Sequence, residues 1–177
     1  QELPFDRLVP ELSPPVRDAL GTISLAAEQM ERLIQDLLDV TRMEAGHFAI
    51  VRTPQHLPLL VGSGLSVLLP IAERRGVRLV STVAGDVPIV PADGGRILQV
   101  LSNLVENAIK FTPEGGEVRV SVEAVEDGVR VAVADSGPGI EDAHRAHLFT
   151  PFWQAVPSGR RSAGLGLTIA RGIVEAH

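Results

Sequence analysis

The chain contains no cysteine, so neither a disulfide scaffold nor a thiolate zinc site is open to it. It has no run of basic residues, and its 16 Lys and Arg are outnumbered by 22 Asp and Glu, for a net charge of −6. Duplex affinity depends largely on Lys and Arg neutralising phosphates, so the acidic balance argues against a nucleic-acid partner. No apolar run approaches the roughly 20 residues that cross a bilayer, and the first residues lack the basic, apolar and small-residue order of a signal peptide. The expectation is a soluble, cytoplasmic piece. What is present is 45% hydrophobic against 21% charged residues over 177 positions, the balance of a globular protein with a sizeable core in one or two compact units.

Hydrophobic spacing divides the chain. Residues 1–15 hold four of the thirteen prolines without a period, and read as irregular or as a short helical entry. Beyond Val16, the residues Ile23, Ala27, Met30, Leu33, Ile34, Leu37, Leu38 and Thr41 recur at three- and four-residue steps. That spacing predicts a helix to about Ala45, stopped by Gly46. Its opposite face, Glu28, Glu31, Arg32, Gln35, Asp36 and Asp39, reads as solvated. A stripe about seven turns long needs a partner helix, in this chain or in a second copy. The prolines of 52–58 mark a boundary between a helical region, 1–51, and a second domain, 52–177.

In that second domain a helix is expected at 59–75, weakened by Gly62, Gly64 and Pro70, then short strands at 78–83 and 87–90. Residues 96–111 return to helical spacing with Ile97, Leu101, Leu104, Val105 and Ala108 inward. Val118, Val120 and Val122, then Val129, Val131 and Val133, alternate around Asp127-Gly128 as in a β-hairpin. Residues 141–163 are polar or loop-forming around a small Leu148, Phe149, Phe152 and Trp153 cluster, and 165–176 closes as a helix. Elements that mix without alternating predict an α+β fold rather than a Rossmann sheet.

Three weak signals carry the chemistry. Asn103, Asn107 and Lys110 form one stripe of the third helix. An amide oxygen is a hard ligand suited to Mg²⁺, and an ammonium suits phosphate; taken alone, the spacing is usually just that of a solvated helix face or a cap. Asp135 follows Val131 and Val133 in phase, which turns its carboxylate toward the buried face just before Gly137-Pro138-Gly139-Ile140. A buried carboxylate needs a donor, such as an adenine amino group; the alternative is a plain turn. Gly164-Leu165-Gly166-Leu167-Thr168 opens the last helix, where free N–H groups favour phosphate. Neither the P-loop nor the dinucleotide glycine signature is present.

In order and spacing these stretches resemble sensor histidine kinases of two-component systems. Residues 96–113, with Asn103-Leu104-Val105-Glu106-Asn107-Ala108-Ile109-Lys110-Phe111 at their centre, are similar to the N box. Asp135-Ser136-Gly137-Pro138-Gly139-Ile140 resembles the G1 box, Leu148-Phe149-Thr150-Pro151-Phe152 the F box, and Gly164-Leu165-Gly166-Leu167 the G2 box. Residues 33–46 resemble the end of the second dimerisation helix. The resemblance implies a two-layer α/β sandwich of the Bergerat type, a mixed, mostly antiparallel sheet with helices on one face, preceded by a partial dimerisation hairpin.

It also implies ATP and Mg²⁺ as cofactors. Asn107 would bind the metal, Asn103 and Lys110 would support the phosphates, and Phe111 would line the site. Asp135 would read the adenine amino group, with Gly137, Gly139 and Ile140 shaping the base pocket. Phe149 and Phe152 would anchor a lid over 141–163, and Gly164, Leu165, Gly166, Leu167 and Thr168 would open the helix that meets the phosphates. Glu106 matches a carboxylate that helps activate an acceptor histidine; a solvated helix carboxylate is the alternative. The implied partners are a second copy through the N-terminal helices and a response regulator receiver domain, with a membrane reached only through an upstream sensor region. A non-catalytic nucleotide-binding module, or another ATPase of the same fold, is the competing reading.

The sequence departs from the family in four places. Both registers of the acceptor box, 14–23 and 10–16, put proline where the histidine would stand. The stretch from there to Asp36 is short for two helices. Ser162 replaces a glycine before Gly164, and the sheet's expected last strands would lie beyond His177. His47, His56, His144, His147 and His177 sit at connectors, in the lid stretch and at a helix end, and none reads as the phosphoacceptor.

Overall fold

The structure is a computed structural model and describes residues 13–155 and 163–177. Its contacts divide the chain into two compact units, one up to Leu38 and one from Asp39 to His177. The expected boundary at 51/52 falls later, because residues after Leu38 pack with the second unit. The readings made for residues 1–12 and for Ser162 lie outside the described residues.

The first unit contributes most of helix α1 (Pro14–Glu44). Ile23, Met30, Leu33, Ile34, Leu37 and Leu38 are all exposed on it, so the expected apolar stripe is present on the helix surface. The helix stops as expected. Gly46 adopts φ +69, its N–H donates to Met43 O and the His47 N–H to Arg42 O, the paired bonds of a Schellman end that glycine makes inexpensive.

In the second unit the order is β1 (Thr53–Gln55), α2 (Leu57–Arg74), β2 (Arg78–Ala84), β3 (Val90–Ala92), α3 (Gly94–Phe111), β4 (Glu117–Val125), β5 (Gly128–Asp135), α4 (Asp142–Arg145) and α5 (Gly166–Ala176). The main sheet runs β2-β4-β5, and a two-stranded ribbon pairs β1 with β3. Strand β4 is parallel to β2, from Arg78↔Glu117 to Ala84↔Glu123, and antiparallel to β5, from Val118↔Asp135 to Val125↔Gly128. The fold is α+β with a mixed sheet, as expected.

Four details differ from the sequence reading. The expected strand at 87–90 starts only at Val90, because Val87 is buried in the core while Pro88 removes a backbone donor. Its partner β1 carried no alternation to reveal it. The hairpin turn is Glu126-Asp127, one residue earlier than expected, with Gly128 already paired. A single helical turn, α4, stands in the stretch read as loop.

The core lies between one face of the sheet and helices α2 and α3. Val118, Val120 and Val122 are buried there with Leu57, Val61, Leu65, Leu68 and Ala72 of α2 and Leu101, Val105, Ala108 and Ile109 of α3. Helix α2 is long and apolar enough by length and composition to cross a membrane, contrary to the sequence reading, but its buried stripe belongs to this core. Gly64 does not weaken the helix to no purpose: a Cβ there would lie 2.8 Å from both Leu98 and Leu101 methyls, so glycine sets how closely α2 approaches α3. A second cluster joins Val40, Leu165, Ile169 and Ile173, with Met43, Phe48 and Val100 against it.

Candidate functional site

Helix α3 is the element on which the site is built. Its N-cap is Asp93, whose carboxylate accepts the Arg96 N–H at 3.1 Å and the Val51 N–H at 3.0 Å. Those backbone bonds, Val51 first, hold the Asp93 carboxyl below its usual range. Inward, Leu101, Val105, Ala108 and Ile109 fix the rotation of the helix. That rotation leaves Asn103, Asn107 and Lys110 half-buried along one edge and Glu106 exposed.

The other two glycine segments both touch this helix. Near its middle, a Cβ on Gly166 would lie 3.2 Å from Asn103 Oδ1. The Nδ2 of Asn103 is buried and has no hydrogen-bond partner among the described residues; a buried amide without a partner is costly, so the group fits a site completed by an acceptor. At its C-terminal end, a Cβ on Gly137 would lie 3.0 Å from Phe111 O and 2.7 Å from Asp135 Oδ1. The Asp135 carboxylate accepts the Gly137 N–H at 2.9 Å. Asn103 and Phe111 are separated by about 12 Å along the helix axis.

Asp135 itself is exposed, which corrects the expectation of a buried carboxylate. It keeps phase with Val131 and Val133, but it lies at the end of β5, where nothing among the described residues covers it. Phe111 and Ile140 are exposed as well. The site is therefore an open surface along α3. A separate groove, bounded by Gly62, Leu65, Leu69 and Leu79, lies between α2 and β2 and includes none of the expected site residues.

Lys110 Nζ lies 4.9 Å from the Phe111 ring centroid. Partial burial, and then the repulsion of the Arg75 guanidinium, hold its ammonium below the ordinary lysine range. The phenylalanine segment is tied to α5. Phe149 O accepts the Thr168 hydroxyl at 3.0 Å, the Arg171 guanidinium lies 5.5 Å from the Phe149 ring, and the Phe152 N–H donates to Gly164 O. Phe152 has φ +64, a strained value for a side-chain-bearing residue. Gly139 and Gly164 take φ +77 and +72, as their turns require. Leu165 is buried in the second cluster and Leu167 is half-buried.

One functional candidate was not legible in the sequence. Asp39, read as part of a solvated face, is fully buried. Its carboxylate accepts from Arg96 Nη1 at 2.6 Å and Gln99 Nε2 at 3.0 Å, and the Arg96 guanidinium stacks 4.6 Å from the Phe48 centroid. The sole signal was the Arg96 and Gln99 spacing of three, which lets Arg96 Nη1 also donate to Gln99 Oε1. His177, read as a solvated or capping residue, accepts the Asp93 N–H through Nε2 at 3.0 Å.

Residues 92–177 match the family of histidine kinase-, DNA gyrase B-, and HSP90-like ATPases. The sensor histidine kinase GacS of Pseudomonas protegens is 38% identical over 173 residues, covering 93% of this chain and 19% of GacS. The chain thus spans about a fifth of the length of such curated relatives. Among solved structures, full-length ShkA in complex with AMPPNP is 30% identical with a TM-score of 0.80, over 94% of this chain and 35% of ShkA. The catalytic domain of the histidine kinase ThkA is 33% identical with a TM-score of 0.63, over 70% of this chain and 80% of that domain. ThkA has also been solved in complex with the response regulator protein TrrA, at 26% identity and a TM-score of 0.67, over 96% of this chain and 47% of that one.

Proposed function

The chain belongs to the sensor histidine kinases of two-component signal transduction, and from that premise we propose that it is the ATP-binding catalytic core of such a kinase, transferring the ATP γ-phosphoryl group to a protein histidine. The observation that carries this is the meeting of two glycine segments on α3, Gly137 at Phe111 and Gly166 at Asn103. We assign the helical region of residues 1–51 to dimerisation, with its end from Asp39 onward packed into the catalytic unit, and residues 52–177 to catalysis, in the cytoplasm. The exposed stripe of α1 supports a homodimer through the N-terminal helices, and the ThkA complex supports a response regulator as partner.

The residues present fit a magnesium nucleotide. Bound there, Mg-ATP supplies an electrophilic phosphoryl group whose negative charge the metal partly neutralises. Asn107 would hold the metal through its amide oxygen, and the orphan Asn103 Nδ2 would donate to a phosphate oxygen. Lys110 adds positive charge, and its lowered affinity for a proton is offset when an anion is near. Gly164, Leu165, Gly166, Leu167 and Thr168 would offer backbone N–H groups at the positive end of α5. Asp135 would accept from an adenine amino group, with Gly137, Gly139, Ile140 and Phe111 beside the base. Glu106, exposed on α3, would accept a proton from the acceptor imidazole. Phe149 and Phe152, held to α5 by Thr168 and Gly164, would anchor the lid.

Proline at both candidate acceptor positions gives no side-chain nucleophile there, so transfer is read on an added dimerisation domain that carries a histidine. Incubation with labelled ATP, with and without such a domain, tests the reading. Label appearing on the added histidine supports it, and nucleotide binding without transfer favours a non-catalytic module.

A further inference from the structure

We propose that the end of α1, residues 39–44, is a positioning element for the phosphate end of the nucleotide site, with Asp39 as the residue that fixes it; the inference rests on the nucleotide site assigned above. An isolated carboxylate taken out of water is costly, yet Asp39 is fully buried and is held by two donors, Arg96 and Gln99, from the first turns of α3. An ion pair with this geometry is directional in a way that apolar packing is not. It holds one rotational setting of the helix end against α3.

The neighbouring residues carry that setting to α5. Val40 is buried against Leu165, Ile169 and Ile173. Met43 packs on Gly172 so closely that a Cβ there would overlap its sulfur. Leu165 directly precedes Gly166, the residue that faces Asn103. The end of α1 therefore touches α3 through Asp39 and α5 through Val40 and Met43, and it sets the separation of the two helices where Asn103 and Gly166 meet. Asp135 and Gly137 lie at the other end of α3, about 12 Å along the axis, and share none of these contacts. Disturbing the α1 end should loosen phosphate binding and spare the base.

The test compares the whole chain with Asp39→Asn and Met43→Ala, measuring dissociation constants of Mg-ATP and of adenosine by calorimetry or NMR titration, well below each melting temperature. The expected result is Mg-ATP weakened about tenfold in both variants, with adenosine changed by no more than about twofold. Should Asp39→Asn fail to fold, Met43→Ala decides, since it buries no unpaired charge. Unchanged Mg-ATP affinity alongside a lowered melting temperature overturns the proposal, as does equal weakening of both ligands. A wild-type chain that binds neither ligand overturns the nucleotide reading itself, and this inference with it, before any variant is made.

Discussion

Asn103 and Gly166 face each other across the gap between α3 and α5, so closely that a Cβ on Gly166 would stand 3.2 Å from Asn103 Oδ1. Glycine at this position sets where the Asn103 amide lies, and the amide nitrogen on the same group is buried without a partner among the described residues. Packing and polar chemistry meet in one contact.

Gly166→Ala therefore pushes on the amide. Helix α5 begins at this residue, and alanine at a helical position is favoured over glycine by up to about 1 kcal/mol, so stability should hold or rise slightly. ATP affinity should fall, because Asn103 must shift by a few tenths of an ångström. Thermal unfolding and nucleotide titration on the same sample separate the two, and an unaltered affinity would show that the amide takes no part.

Asp135→Ala removes both the proposed adenine acceptor and the acceptor for the Gly137 N–H. A hydrogen bond to a charged group contributes about 2 kcal/mol, roughly thirtyfold in affinity. Asp135→Asn keeps an oxygen for Gly137 and loses the charge, so it should restore the turn but only part of the binding. If Asp135→Ala left ATP affinity as it was, the base pocket would have to lie elsewhere.

Asn107→Ala deletes a half-buried amide that makes no hydrogen bond to a described residue, so the melting temperature should change little. As the proposed metal ligand, its loss should abolish the difference between ATP affinity with Mg²⁺ and with chelator. A variant that kept the full magnesium dependence would exclude Asn107 as the ligand.

How far the sequence reveals this molecule depends on the range of the interaction. Helix ends are local. Gly46 could be read as a stop because the Schellman bonds join residues within five positions of it. Val118, Val120 and Val122 announced a buried strand face by alternation alone. Strands β1 and β3 have three residues each, with Pro54 opposite Pro91, too short and too proline-bound to show a period. Asp39 looked solvated because its partner Arg96 lies 57 positions away. At Asp135, phase told which side of the sheet the carboxylate takes, and phase cannot tell whether anything covers that side.

The second core cluster links helices far apart in sequence, and Ile169 is one of its two fully buried members on α5, with Ile173. Ile169→Ala leaves a cavity among Val40, Leu165 and Ile173, at a cost of about 2–5 kcal/mol, which should appear as a clear drop in the urea midpoint. A change under about 1 kcal/mol would mean that this cluster collapses around the gap.

Acid should act through the α3 cap. The Asp93 carboxyl is held below its ordinary value of 3.8, first by the Val51 N–H and then by the Arg96 N–H. Because the folded value lies below the unfolded one, the carboxylate's contribution is complete above about pH 4 and is lost as pH falls through the depressed folded value. The effect is modest, since the group is half exposed and screened by solvent. Asp93→Ala removes the cap at every pH, at a cost of about 1 kcal/mol near neutrality. Urea midpoints of the two proteins should therefore differ at pH 7 and converge as pH is lowered toward 2. A gap of constant size across that range would show that the Asp93 charge contributes nothing and that only the shape of the cap matters.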